Sequence, residues 1–181
     1  MLGIPLHPLV VHFPIVLSIL LPISVLVVLW TIRKGATPRK AWAVPLAVAA
    51  ALTLSAFVAT ETGENEEDRV EEVVARRAIH GHEEAAERFL MLSGVLLVVA
   101  AGGLLPRTAG RAARLVTAAG ALGLVAAGVQ VGHSGGTLVY RDGAASAYTS
   151  TPAGTDANAT PRTASRAAER IARRGDGDRS R

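Results

Sequence analysis

Four long apolar stretches dominate the chain, at about residues 9–32, 41–60, 88–105 and 115–132. A bilayer core of about 30 Å is crossed by roughly 20 apolar residues in helical form, so each stretch predicts a transmembrane helix. The last two are short, which places their polar ends at the headgroups. The first lacks a positive leading region and a small-residue cleavage site, so it reads as a retained span and not a removed signal. Between spans two and three the pattern changes. Val70, Val73, Val74, Ala78 and Ile79 recur at helical spacing among charged residues. This predicts an amphipathic helical loop, either on the membrane surface or as a helical extension of span three. From Thr149 onward large apolar residues almost vanish, and such a segment cannot bury enough surface to fold alone. The expected organisation is an all-α membrane protein: a four-helix transmembrane domain over residues 1–148 and a disordered Arg/Ala/Thr-rich tail over 149–181.

Charge sets the orientation. Arg33, Lys34, Arg39 and Lys40 lie between spans one and two, and Arg107, Arg111 and Arg114 between spans three and four. The loop between spans two and three is acidic, with Glu61, Glu64, Glu66, Glu67, Asp68, Glu71 and Glu72. The positive-inside rule then puts both basic loops in the cytoplasm and both termini outside. The Ala, Val, Arg and Gly richness is that of a GC-rich bacterial genome, which makes the inner membrane the expected location. The net charge of +4 owes much to arginines of the tail. With four spans, the expected partner is the lipid bilayer and not nucleic acid. Cysteine is absent. That excludes disulfides, thiolate metal sites, iron–sulfur clusters and covalent c-type haem attachment.

The five histidines are the candidate chemistry. His7 and His12 open span one, His80 and His82 precede span three, and His133 follows span four, so all fall at outer ends. His12 is deepest, between Val11 and Phe13, with Pro8 and Pro14 bracketing it. An ionisable residue at membrane depth is a functional candidate by default. His7 and His12 are about 140° apart on a regular helix, so only an irregular outer end would let them share a face. Span four carries Gly120, Gly123, Gly128 and Gly132 among alanines, which admits close helix packing or a flat cofactor. Gln130 sits near its outer end. Gly132-His133-Ser134-Gly135-Gly136 can leave the helical conformation, and residues 137–140, ending at Tyr140, are expected to run extended along the surface. Spans one and four are expected to pack at their outer ends and to bring His12 near His133.

Two of these segments carry a resemblance. His7-Pro8-Leu9-Val10-Val11-His12-Phe13-Pro14 and Gly132-His133-Ser134-Gly135-Gly136-Thr137-Leu138-Val139-Tyr140, with Gly143 after, resemble the end motifs of the bacterial membrane family called domain of unknown function 2231. Thr62-Gly63 and His82-Glu83 resemble its middle elements, and the acidic stretch after Gly63 departs from its pattern. The match spans about residues 4–145. It implies a small polytopic membrane protein with His7, His12, His82 and His133 at matching outer positions and His80 as an extra. Association of some relatives with cytochrome domains implies redox surroundings and respiratory, cytochrome-type membrane partners.

Three readings of the cluster stay open. The first is b-type haem held by imidazole pairs for electron transfer, with propionates near Arg69, Arg76 or Arg77. The second is a zinc, copper or non-haem iron site built from His7, His12, His82 and His133 with Glu61, Glu64 or Glu83. The third is a structural or assembly subunit, with a homo-oligomer compatible with any of them. His80, Glu61, Glu83, Gln130 and Tyr140 are the expected supporting residues. No nucleophile–base–acid set and no phosphate-binding glycine loop is present, so an enzyme with its own substrate is not expected.

Overall fold

The computed structural model describes residues 6–149; the expected disordered tail lies outside them. The chain runs through α1 (His7–Val10), α2 (His12–Arg33), α3 (Pro38–Glu64), α4 (Glu67–Glu71), α5 (Arg76–Gly102), α6 (Arg107–Tyr140) and α7 (Ser146–Thr149). Four of these helices, counting α1 with α2, are long and apolar enough to cross a membrane. They pack as a ring: α2 on α3, α3 on α5, α5 on α6, and α6 back on α2. Short connections give antiparallel neighbours, an up-down-up-down bundle.

The spans differ from expectation in length. α5 begins at Arg76 and α6 continues to Tyr140, so neither is short. The glycines of segment 132–136 do not break the helix. Ser134 and Thr137 donate their hydroxyls back to Val131 O and His133 O, each at 2.9 Å, and the helix passes through. The expected extended segment 137–140 is therefore helical.

The core holds Leu21, Val25, Trp42, Ala49, Leu52 and Ala121. Outside it, Phe13, Ile19, Leu54, Val98 and Val129 stay exposed, as lipid-facing side chains should. Hydroxyls within the spans bond to carbonyls of their own helix, as Ser18 does to Ile15 O at 2.7 Å, because hydrocarbon offers no other partner. One small residue marks the α2–α6 seam: a Cβ on Gly128 would lie 3.3 Å from Phe89 and 3.7 Å from Ser18 Oγ. At the basic end, three carbonyls at and just beyond the end of α5 accept side-chain donors from other spans. Trp42 Nε1 donates to Ala100 O at 2.8 Å, Arg114 Nε to Gly103 O at 2.8 Å and Arg39 Nε to Leu104 O at 3.0 Å.

In the amphipathic loop, α4 is a short helix of Glu67–Glu71, and α5 starts at Arg76, so residues 76–87 extend span three as a helix. Val74 and Ile79 form a small buried cluster with Leu138 and Ala144, flanked by Val70 and Ala78. The apolar face of the loop thus covers the end of α6, while Val73 stays exposed.

Candidate functional site

The end of the bundle opposite the basic loops gathers side chains from four segments. His7 sits in the first turn of α1, where its Nδ1 lies 2.8 Å from Ala59 O of α3. A carbonyl only accepts, so Nδ1 is the donor in this contact. His82 on α5 has its Nδ1 2.9 Å from Ser134 Oγ of α6. Ser134 gives its own proton to Val131 O at 2.9 Å, which leaves its oxygen to accept from His82 Nδ1, and the Val131 backbone bonds the His82 ring as well. The two ring centres are 6.2 Å apart, with planes at 86°.

Both rings rest against glycine. A Cβ on Gly63 would lie 3.1 Å from His7 Cε1 and Nδ1, and one on Gly135 would lie 3.0 Å from His82 Cε1. Here glycine serves close approach of a ring to a helix backbone and not a turn. Glu66 completes the arrangement. Its Oε1 accepts from the backbone N–H of Leu6 at 2.7 Å and of His7 at 3.2 Å, and its Oε2 accepts from Tyr148 Oη at 2.7 Å. Burial, then the Glu66 carboxylate, push the Tyr148 hydroxyl up to about 12, and the Arg69 guanidinium 5.5 Å from its ring works the other way.

The remaining expected residues lie elsewhere. His12 is exposed, with Nδ1 3.3 Å from Leu9 O. His133 is exposed and its ring has no partner among the described residues. The imidazoles in ring contact are His7 and His82, whereas the expected His12 and His133 are both exposed. Pro14 cannot donate to Val10, and the helix is interrupted only at Val11. The rotation of about 140° between residues 7 and 12 is kept, so turning His7 inward turns His12 out. Likewise, Gly135 faces α5, and two residues on a helix differ by about 200°, so His133 points away.

His80 bonds Glu83 at 2.9 Å on the exposed surface. The Glu83 charge is also the main cause raising the Glu67 carboxyl above its usual range. Arg76 pairs with Glu71 at 2.7 Å. Glu61, Glu64, Gln130 and Tyr140 are exposed, the last 91% so. Among the described residues no three His, Cys, Asp or Glu side chains are placed to hold one metal ion, so the expected four-histidine set does not close around a point. Glu66, Ser134 and Tyr148 are the residues that sequence reasoning missed. Ser134 had a signal, since it stands inside the glycine motif; Glu66 was one acid among seven.

Four membrane-length helices and a polar knot at one end define a four-span integral membrane protein. The family described as predicted membrane protein (DUF2231) matches residues 3–147, and the chain belongs to it. His7, Gly63, His82, Ser134 and Gly135, drawn from the four resembling segments, are the residues that converge in space. No curated protein and no solved structure gives a match.

Proposed function

We propose that His7 and His82 form a two-imidazole site that binds a single transition-metal ion through their Nε2 atoms. The carrying observation is that both Nδ1 atoms are committed as donors. Metal-bound histidines are habitually held in this way, with the second nitrogen fixed to a carbonyl or another acceptor. With metal–nitrogen bonds of about 2.0–2.1 Å, each ring centre lies about 3.2 Å from the ion, so two such rings are about 5.2 Å apart at a tetrahedral ion and at most about 6.4 Å apart at a linear one. At the observed 6.2 Å the pair fits a nearly linear ion, and a tetrahedral one requires the rings to close by about 1 Å. Imidazole suits zinc, copper and iron, and the remaining positions go to water or a ligand from outside. Copper or iron would give an electron-transfer centre, the redox role that the family resemblance implies, and respiratory membrane proteins would then be its partners. The site faces the non-cytoplasmic side of the bacterial inner membrane if the basic loops face in.

A b-type haem is the second reading, but helix backbone at Gly63 and Gly135 lies against the rings. Such close cover favours a small ion over a porphyrin. The test is metal analysis and a visible spectrum of the full chain purified in detergent, with single histidine-to-alanine variants. Stoichiometric metal lost in His7→Ala and His82→Ala but kept in His12→Ala and His133→Ala is expected. Wild-type protein without stoichiometric metal overturns the proposal, and an intense violet haem band replaces it with the porphyrin reading.

A further inference from the structure

We infer that Glu66 is the positioning residue of His7, and that Tyr148, beyond the last span, holds Glu66 in place. This rests on the two-imidazole reading for its functional meaning but has its own structural test. His7 begins a four-residue helix, and the first N–H groups of a helix have no partner within it. Leu6 and His7 supply two of these donors, and both go to Glu66 Oε1. No side chain of α1 itself caps it. Pro14 offers no hydrogen bond to Val10, so the tie between α1 and the rest of span one is weakened where His7 needs to be steady. The position of α1 is thus fixed from outside, by Ala59 O through the ring and by Glu66 through the backbone.

Glu66 is itself anchored. It lies in the connection between α3 and α4, where a long carboxylate side chain has freedom to lose. Tyr148 Oη occupies its second oxygen at 2.7 Å, and Arg69 stands over the Tyr148 ring at 5.5 Å. The carboxylate therefore links two sequence-distant segments, one carrying the imidazole and one leaving the bundle. A movement of the segment around Tyr148 is transmitted to His7 through one side chain. Glu61 and Glu64, though nearer the end of α3, make no such bonds and are exposed.

The experiment uses full-length protein with nitrogen-15-labelled histidine in detergent micelles, comparing wild type, Glu66→Ala, Glu66→Gln and Tyr148→Phe. The imidazole nitrogen shifts report whether His7 keeps its proton on Nδ1, with or without metal. Glu66→Ala is expected to disperse the His7 signal and to weaken metal binding about 10- to 100-fold, as loss of a ligand-orienting partner does. Glu66→Gln keeps a carbonyl oxygen for the two backbone donors and is expected to restore the His7 signal. Tyr148→Phe leaves Glu66 present but untied, and is expected to broaden the same signal; it carries the test if Glu66→Ala does not fold. An unchanged His7 signal in both Glu66→Ala and Tyr148→Phe overturns the inference, even if the melting temperature falls, because Glu66 is then only a cap. If wild type binds no metal, the two-imidazole reading fails, while the nitrogen shifts still decide the role of Glu66.

Discussion

The Ser134 hydroxyl accepts the His82 Nδ1 proton at 2.9 Å while spending its own on Val131 O. One hydroxyl thereby ties down a ring on a different span. Ser134→Ala removes that acceptor and leaves the Val131 backbone as the ring's other partner, so the loss is that of one hydrogen bond, about 0.5–1.5 kcal/mol. The expected outcome is lower thermal stability in detergent and about 10- to 100-fold weaker metal binding. Unchanged binding would show that the His82 ring does not depend on this contact.

Neighbouring glycines of the same motif should respond in opposite directions. A Cβ at Gly135 meets His82 at 3.0 Å, whereas one at Gly136 meets nothing within 4 Å. Gly136→Ala is expected to stabilise by up to about 1 kcal/mol through helix propensity. Gly135→Ala gains the same propensity but crowds the imidazole, and overpacking costs about 1–3 kcal/mol. Unfolding curves of the two variants should lie on opposite sides of wild type; coincident curves would contradict the packing at His82.

Alkaline pH should loosen the clasp at Tyr148. Its hydroxyl is raised from 10.0 to about 12 in the folded protein, so the fold favours the neutral form. The stabilisation is fully present below the unfolded value and is lost as pH rises through that value and up to about 12. Melting temperatures followed from about pH 9 to about pH 11 should fall more steeply for wild type than for Tyr148→Phe. Parallel slopes would remove Tyr148 from the account.

Orientation is open to direct labelling because the chain has no cysteine. Ala75 and Ala109 are exposed at opposite ends of the bundle. An impermeant thiol reagent on whole cells is expected to label Ala75→Cys, and Ala109→Cys only after permeabilisation. The reverse pattern would place the imidazole pair in the cytoplasm.

The spans were legible because apolar length is a local property, and the basic loops marked one end of the bundle. Which histidines meet was not, because rotation of each helix about its own axis is set by packing between spans. Depth favoured His12, yet depth does not say which face a ring occupies. The glycines held more than was read from them. Gly120, Gly128 and Gly135 all approach side chains of α5, and their spacing near two helical turns identifies the inward face. That face includes Ser134 and excludes His133. The same glycines suggested a broken helix, because freedom to adopt unusual angles and room for a close neighbour look alike in sequence. Glu66 was hidden among equivalent acids, and only its reach to Leu6 and Tyr148 separates it from them.

The capping of α5 at the basic end also bears on how the protein is made. Carbonyls at and just beyond its end accept from Trp42 and Arg39 of the preceding span and from Arg114 of the following one. During synthesis the first two partners are already in the chain when span three arrives, but Arg114 is not. A buried carbonyl without a donor is unfavourable, so Gly103 O gains its partner only once the segment carrying Arg114 has been made. The closing of span three is in this sense completed by span four.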